Sequence, residues 1–286
     1  MPDQFFLLPS PFPDYPGQLY LLEPTGSASG MLRQQLLDGT YDKPFVLEHQ
    51  GVRSLLFSLT FIQSSMRIDA PDALDLEYTQ HMMAFVLFHT NVRHLLLLGL
   101  GGGSLAKFCR RRLPSVTVTA VEADPRVVLF RELFGLAPDD ANFTTQVADA
   151  FDHVATTRDE FDVILVDAFD GGGIAPTVDS EDFYRLARHR LTAKGVLVAN
   201  LAGEPTERRT HFERLRQAFG DTLLLISVDG GCNHLAFAFR DTRFEPRWKW
   251  IHSQARALTS RYGLDFVAMA TRLERCWQRG WESCLP

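Results

Sequence analysis

Apolar runs alternate with polar, helix-forming stretches through the middle of the chain. The apolar runs, which are rich in Leu and Val, predict strands over 95–100, 116–122, 143–148, 161–167 and 195–201. The stretches between them predict helices over 104–112, 125–134, 180–191 and 206–219. Strands that alternate with helices form a parallel sheet covered by helices on both faces. The pattern therefore predicts an α/β protein.

The pattern changes after residue 220. TLLLISV (222–228) and HLAFAFR (234–240) flank a short turn with Asp and Gly residues, which predicts two strands joined as a hairpin. A doubly wound, Rossmann-like sheet with an antiparallel last strand resembles the fold of S-adenosylmethionine-dependent methyltransferases and their aminopropyl-transferring relatives. Residues 247–279 follow as a predicted helical stretch, and we expect its aromatic side chains to be core or dimer contacts rather than part of a cofactor site.

The first part of the chain follows a different pattern. Residues 45–63 hold two β-prone runs separated by His49-Gln50-Gly51, which predicts a small β-hairpin. Residues 1–30 are rich in Pro, Gly and Ser, so we expect an extended arm there. We therefore divide the chain into 1–70, the arm and small β-hairpin element, and 71–286, the α/β domain with its carboxy-terminal helices.

A glycine-rich turn follows the first predicted strand of the α/β domain. LLLLGLGGGSLAK (95–107) contains Gly99, Gly101 and Gly103, and Glu122 ends the next strand. Glycines let the backbone approach a ligand, and a helix start presents free N–H groups. An acid about 20 residues after the first glycine can accept hydrogen bonds from ribose hydroxyls. The pattern predicts nucleoside binding, although such a loop also occurs as a purely structural turn.

Acidic residues stand at the ends of several predicted strands. Glu122, Asp149 and Asp167 end strands, and Asp170 follows in the next loop. Because the carboxyl ends of parallel strands meet at one edge of a sheet, we expect these acids beside the glycine turn. Burial and mutual repulsion would raise the pKa of one of them, as suits a general base. Their combined charge favours a cationic guest, and both a sulfonium cofactor and an amine are cationic.

Composition and charge exclude several other classes of function. The chain has 286 residues, and 29 Lys and Arg against 35 Asp and Glu give a net charge of −6, so no nucleic acid partner is expected. No apolar run reaches the ~18–20 residues of a membrane span and no signal-peptide pattern is seen, so we expect a cytoplasmic protein without membrane contact. The four cysteines form no C-x-x-C pair and the histidines show no ligand spacing, so neither a metal site nor a disulfide framework is expected.

Seven motifs occur in an order that resembles the spermidine synthase (polyamine aminopropyltransferase) family. They are FIQSSM (61–66), EYTQHMM (77–83), LLLLGLGGGSLAK (95–107), VEADPRVV (121–128), ADA (148–150), DVILVDAFDGGGIAP (162–176) and EDFYRL (181–186). The resemblance covers about residues 45–240. It implies a transferase that moves an aminopropyl or related alkyl group from a decarboxylated S-adenosylmethionine-type sulfonium donor to a small-molecule amine. We expect the enzyme to be a homodimer.

The resemblance implies roles for individual residues. The donor would be held by Gln63 at its amino-acid-like tail, by Gly99, Gly101 and Gly103 at the turn, by Glu122 at the ribose, and by Asp149 and Ala150 at the adenine. The amine would lie between Asp167 and Asp170, with Asp170 in the place of the base and Tyr78 as a positioning group. Structural roles stay open: Tyr78 as a core residue, Gln63 as a strand cap and Asp170 as a turn former.

The chain departs from the family's pattern where the aminopropyl tail and the polyamine are recognised. Gly102 stands where the family has an acid that grips the donor's ammonium group, and Gln80 replaces a second acid. Gly171 replaces a proline, Val228 stands where a tyrosine is expected, and Ile68–Leu76 contains a short insertion. These departures predict weak transfer to putrescine.

Two further functions stay open at this point. A methyltransferase would use intact S-adenosylmethionine, since Gly102 removes the group that prefers the decarboxylated form. A non-catalytic nucleoside-binding protein would keep the fold and lose the substrate half of the site.

Overall fold

The amino-terminal part of the protein is an antiparallel sheet. The structure is a computed structural model, and it describes residues 5–59, 62–170, 173–228 and 233–285. The sheet has five strands in chain order: β1 (Phe6–Pro9), β2 (Gln18–Leu21), β3 (Phe45–His49), β4 (Val52–Leu56) and β5 (Ile62–Arg67). Helix α1 (Ser29–Leu37) lies between β2 and β3 in the chain.

The amino-terminal sheet is larger than the sequence predicts. The expected hairpin is present as β3 and β4, with Gln50 and Gly51 in its turn. The expectation of an extended arm over 1–30 is wrong, because β1, β2 and the start of α1 lie there. Leu8, Leu19 and Leu21 are buried in one cluster with the apolar side chains of α1, which gives these short strands a core of their own. The division of the chain at residue 70 stays a prediction.

The predicted parallel sheet with an antiparallel hairpin is confirmed. Among the described residues it has seven strands: β6 (His94–Leu98), β7 (Thr117–Glu122), β8 (Phe143–Val147), β9 (Phe161–Val166), β10 (Leu191–Ala202), β11 (Leu223–Ser227) and β12 (Asn233–Phe239). Their order across the sheet is β11-β12-β10-β9-β6-β7-β8. The last strand, β12, lies between β10 and β11 and runs antiparallel to both. This is the Rossmann-like methyltransferase arrangement that the sequence predicts.

Helices cover both faces of this sheet. They are α2 (Glu77–Met82), α3 (Ser104–Arg112), α4 (Pro125–Val128), α5 (Ala150–Thr156), α6 (Glu181–His189), α7 (Pro205–Phe219), α8 (Trp248–Tyr262) and α9 (Phe266–Arg279). None of the helices in the described ranges is long and apolar enough to cross a bilayer.

Two helix predictions need correction. The helix expected over 125–134 is the single turn α4, because the chain then turns so that Phe130 and Phe134 pack against the amino-terminal sheet. The stretch 247–279 is two helices. Gly263 has a φ of +76° and ends α8 in the left-handed conformation that favours glycine.

The core lies on the two sides of the central sheet, as β6 illustrates. Leu95 and Leu97 are buried in the cluster on one face, and Leu96 and Leu98 in the cluster on the other. Full burial of a leucine side chain contributes about 1.5–3 kcal/mol, so both faces of this strand stabilise the fold. A strand buried on both sides reads as a continuous apolar run, which explains the sequence pattern.

The cysteine pattern predicts no disulfide framework, but one disulfide bond is present among the described residues. Cys276, in the last turns of α9, is bonded to Cys284. The spacing lacks a short C-x-x-C motif, and the pair meets because the chain reverses through the turn Trp281–Ser283. Only the three-dimensional path brings these two thiols together.

Candidate active site

A large cleft opens where β6, β7, β9 and β10 end. Its volume is about 1600 Å³. Of the site residues predicted from the sequence, those that line it are Gln63, Tyr78, Gly99, Gly101, Glu122, Asp149, Ala150, Asp167 and Asp170, whereas Gly103 does not. The structure thus brings together side chains that are far apart in the chain, at the edge of the sheet where the strand pattern predicts a site.

The lining of this cleft is acidic. The carboxylates that line it are Asp42, Glu122, Asp124, Asp149, Asp167, Asp170, Asp179, Glu204 and Glu207. They outnumber the basic side chains of the lining, which are Arg126, Arg208 and His211. Like charges around one concave surface reinforce their field, so the cleft favours a cationic guest.

The glycine turn lies directly against the end of β9. Gly99 has a φ of +94°, and a Cβ atom there would lie 2.1 Å from the carbonyl oxygen of Asp167. The amide of Asp167 also donates to the carbonyl of Leu98 at 2.8 Å. Only glycine permits this approach. The backbone of the turn and the Asp167 carboxyl group therefore face the same space.

Glu122 stabilises the glycine turn through hydrogen bonds to its backbone. One carboxylate oxygen, Oε2, accepts hydrogen bonds from the amides of Leu100 at 3.0 Å and Gly101 at 3.3 Å. The other, Oε1, accepts from the amide of Asp124 at 3.0 Å. Each carboxylate oxygen can accept more than one hydrogen bond, so Glu122 can hold the turn and still accept from ribose hydroxyls. Ribose binding stays a prediction.

Asp149 and Ala150 begin α5 beside the same cleft. Oδ1 of Asp149 accepts from the amides of Phe151 at 2.8 Å and Asp152 at 3.2 Å, which caps the helix. Ala150 is buried. The cap fixes Asp149 at the end of the sheet edge, where the resemblance places the adenine.

Asp167 is the centre of a hydrogen-bond network. Tyr78 donates from its hydroxyl to Oδ2 of Asp167 at 3.2 Å, and Asn200 donates from Nδ2 to Oδ1 at 2.9 Å. Asn233 donates in turn to Oδ1 of Asn200 at 2.9 Å. Burial raises the pKa of Asp167 to about 6, against the lowering effect of the bonds from Asn200 and Tyr78. A carboxyl group with such a pKa can take up and release a proton near neutrality.

Tyr78 comes from α2, which packs on the end of the sheet. Burial and then the charge of Asp167 raise the pKa of its hydroxyl well above the usual value. The phenol therefore stays protonated and acts as a hydrogen-bond donor. It faces the cleft through its hydroxyl and packs against the core through its ring, so its core and site roles coexist.

Asp170 and Gln63 form the outer side of the cleft. Phe169–Asp170 and Gly173–Ile174 pair as a short antiparallel ribbon after β9. Gln63 of β5 donates from its side-chain amide to the backbone carbonyl of Asp170 at 3.4 Å. Asp170 itself is exposed. The amino-terminal sheet therefore contributes to the site through Gln63.

Two of the departures from the family pattern have a structural explanation. A Cβ atom on Gly102 would lie 2.7 Å from the ring of Phe134 and 2.8 Å from Oγ of Ser64. The space that a side chain at 102 would need is therefore filled. Gln80 donates to the carbonyl of Leu74 at 2.8 Å, so it holds the inserted segment. Gly171 lies outside the described residues.

Asn200 and Asn233 are site residues that the sequence pattern did not predict. Asn200 is buried within the apolar run of β10, and Asn233 is the first residue of β12. A polar residue inside an apolar strand was the available signal, because a buried amide requires hydrogen-bond partners.

Comparison with known proteins indicates a family. Residues 75–224 match the family profile described as "Spermine/spermidine synthase domain". The chain is 34% identical over 235 residues to the polyamine aminopropyltransferase of Chromobacterium violaceum, which spans 82% of this chain and 90% of that protein. The polyamine aminopropyltransferase of Neisseria meningitidis serogroup A is 33% identical over 231 residues, 80% of this chain and 88% of that protein.

Solved structures show the same fold. A probable spermidine synthase from Corynebacterium glutamicum superposes with a TM-score of 0.64 at 18% identity, covering 76% of this chain and 84% of that one. A spermidine synthase in complex with the transition-state analogue AdoDATO gives a TM-score of 0.60 at 19% identity and covers 74% of each chain.

Proposed function

Because the chain belongs to the spermine/spermidine synthase domain family, we propose that it transfers an aminopropyl group from decarboxylated S-adenosylmethionine to a small-molecule amine. The single observation that carries this proposal is the partly buried carboxyl group of Asp167, held by Tyr78 and Asn200 at the floor of an acid-lined cleft. Both substrates are cations, and both need that electrostatic environment.

The donor's nucleoside half would bind along the glycine turn. Glu122 would accept from the ribose hydroxyls, Asp149 and Ala150 would face the adenine, and Gln63 would contact the tail. Charged hydrogen bonds of this kind contribute about 1.5–3 kcal/mol each. The acidic lining near the sulfonium supports binding of a positively charged donor.

The reaction is a direct displacement. The nitrogen lone pair of a neutral amine attacks the aminopropyl carbon bonded to sulfur, a C–N bond forms, and the C–S bond breaks. The electron pair of the broken bond moves to sulfur, so methylthioadenosine leaves as a neutral thioether. The enzyme aligns the reactants and accepts the proton that the amine loses.

The proton acceptor is one of two carboxylates. The sequence predicts Asp170, whereas the burial of Asp167 and its pKa of about 6 support Asp167. A base with that pKa is ionised at neutral pH and still basic enough to take a proton. We assign proton acceptance to Asp167 and contact with the amine substrate to Asp170.

Calorimetry with three ligands tests the proposed donor. Decarboxylated S-adenosylmethionine, intact S-adenosylmethionine and methylthioadenosine share the nucleoside and differ in the tail. The proposal predicts binding of the decarboxylated form and of methylthioadenosine, with amine-dependent release of methylthioadenosine. Tight binding of intact S-adenosylmethionine with methyl transfer would identify a methyltransferase. Binding of the nucleosides without any transfer would identify a non-catalytic nucleoside-binding protein, and binding of none would overturn the proposal.

A further inference from the structure

Two asparagines without an assigned role connect the central sheet to Asp167. Asn200 lies near the end of β10, and Asn233 begins β12, the antiparallel strand paired with it. Nδ2 of Asn233 lies 2.9 Å from Oδ1 of Asn200, and Nδ2 of Asn200 lies 2.9 Å from Oδ1 of Asp167. Asn200 is buried, and Asn233 lines the cleft beside it.

The chemistry of the amide group gives this chain of bonds a direction. A side-chain amide has a donor end and an acceptor end. If the Asn200 amide were reversed, its oxygen would face an oxygen of Asp167, and its NH₂ group would face the NH₂ group of Asn233. Both hydrogen bonds would be lost, and each buried polar group without a partner costs about 1–3 kcal/mol. An ionised Asp167 can only accept and Asn233 donates at the other end, so these two partners together orient the amide of Asn200 with its donor end toward Asp167.

The orientation of Asn200 matters for the Asp167 carboxylate. Asn200 occupies Oδ1 and Tyr78 occupies Oδ2, so the plane of the carboxylate is set from both sides. A hydrogen bond donated to a carboxylate stabilises its ionised form. Asn200 is the largest influence that opposes the raising of the Asp167 pKa by burial.

We propose that Asn200 and Asn233 are positioning residues, in which Asn233 fixes the amide of Asn200 and Asn200 holds the Asp167 carboxylate in the orientation that accepts the proton of the amine. This proposal rests on the proposed function for its catalytic consequence. The hydrogen-bonded arrangement itself does not depend on that function, so the two can be tested separately.

Other ionisable groups share the cleft and belong in the interpretation of any pH profile. Among the described residues, Tyr78 is the ionisable side chain that hydrogen-bonds to Asp167. The other ionisable groups that line the cleft are Asp42, Glu122, Asp124, Arg126, Asp149, Asp170, Asp179, Glu204, Glu207, Arg208 and His211. These groups are the same in each variant below, so ratios to the wild-type protein isolate the effect of the asparagines.

The test uses Asn200→Ala, Asn233→Ala and the double variant, with Asn142→Ala as an exposed control. The titration of Asp167 is followed by NMR of ¹³C-labelled aspartate carboxyl groups, which requires no activity. Asn200→Ala should raise the measured pKa by about 1, the effect of losing one charged hydrogen bond. Asn233→Ala should raise it less, and Asn142→Ala should leave it unchanged.

The double variant provides the sharpest comparison. If Asn233 acts through Asn200, the double variant should titrate like Asn200→Ala alone, because residues in one network are not additive. In turnover, the loss of kcat/KM for the amine in Asn200→Ala should be about fivefold greater at pH 6 than at pH 9, because fewer Asp167 carboxyl groups are ionised at the lower pH. A merely structural role would lower activity equally at both pH values.

The outcomes separate this proposal from the proposed function. An unchanged Asp167 titration in Asn200→Ala, or additive effects in the double variant, would overturn the positioning role even in an active enzyme. A wild-type protein without amine-dependent methylthioadenosine release would overturn the proposed function, while the titration still decides the positioning role. If Asn200→Ala is unstable, Asn200→Ser carries the same test.

Discussion

A Cβ atom on Gly99 would lie 2.1 Å from the carbonyl oxygen of Asp167 and 3.1 Å from Cα of Ala168. The end of β6 and the end of β9 therefore meet at a distance that only a glycine permits. This contact sets the position of the nucleoside-binding turn relative to the carboxyl group that we assign to proton acceptance.

Gly99→Ala should disrupt both the turn and the site. The clash is with backbone, so the strand ends must separate, and we expect at least tenfold weaker binding of methylthioadenosine by calorimetry. Gly135→Ala is the matched control, because Gly135 also has a positive φ, +68°, with open space around its Cβ position. Equal effects of the two substitutions would show that backbone strain, rather than the contact with Asp167, explains the loss.

Glu122→Ala should weaken nucleoside binding by at least tenfold, because the ribose hydroxyls would lose the carboxylate that accepts their hydrogen bonds. The side chain also accepts from the amides of Leu100, Gly101 and Asp124. Glu122→Gln keeps an acceptor for the turn and should therefore bind better than Glu122→Ala. Glu132→Ala, on the exposed surface, is the control. Unchanged affinity in Glu122→Ala would refute the assignment of Glu122 to the ribose.

Asp167→Asn and Asp170→Asn decide between the two candidate bases. Asparagine keeps the shape and removes the proton acceptor, so Asp167→Asn should lower kcat by roughly 10²–10⁴. Asp170→Asn should mainly raise KM for the amine. Wild-type kcat should rise as the pH increases through about 6, where Asp167 ionises. The opposite ranking of the two variants would assign the base to Asp170, as the sequence predicts.

Asp167 also links stability to pH. Its folded pKa of about 6 lies above the ordinary value of 3.8. The folded state therefore binds the proton more tightly, and this contribution to stability is present below pH 4 and lost as the pH rises through about 6. Asp167→Asn has no such loss. At pH 8 it should raise the free energy of unfolding by on the order of 1–3 kcal/mol, measured by urea denaturation, and a destabilised variant would contradict this.

We expect weak turnover with putrescine, because glycine at 102 cannot pair with the donor's ammonium group. Loss of such a bond costs about 2–3 kcal/mol, or roughly a thirtyfold to hundredfold loss of preference. Gly102→Asp should not restore it, since Phe134 and Ser64 fill the required space. A kcat/KM near that of ordinary metabolic enzymes would show that other residues replace the missing acid. Asp229, one candidate for that role, lies outside the described residues.

The central sheet could be predicted because its strands are buried on both faces and read as continuous apolar runs. β1 and β2 could not, because each has four residues, and their burial depends on contacts with α1 that the local pattern does not show. The Cys276–Cys284 bond likewise depends on the path of the chain after α9.

The site divides in the same way. The clustering of the acidic residues at one edge of the sheet could be predicted, because they end parallel strands and the carboxyl ends of parallel strands lie at the same edge. The ranking of Asp167 over Asp170 follows from burial, which only the fold determines. The reason for a glycine at position 102 could not be predicted, because the side chain that fills the space beside it, Phe134, comes from another part of the chain.

The most direct test of the account is transfer of an isotopically labelled aminopropyl group. Wild-type protein and Asp167→Asn are incubated with labelled decarboxylated S-adenosylmethionine and a panel of amines, and the products are identified by mass spectrometry. Wild-type protein should attach the label to an amine and release one methylthioadenosine per transfer, and Asp167→Asn should do so at least a hundredfold more slowly. Release of methylthioadenosine without a labelled amine, or equal rates for the two proteins, would contradict it.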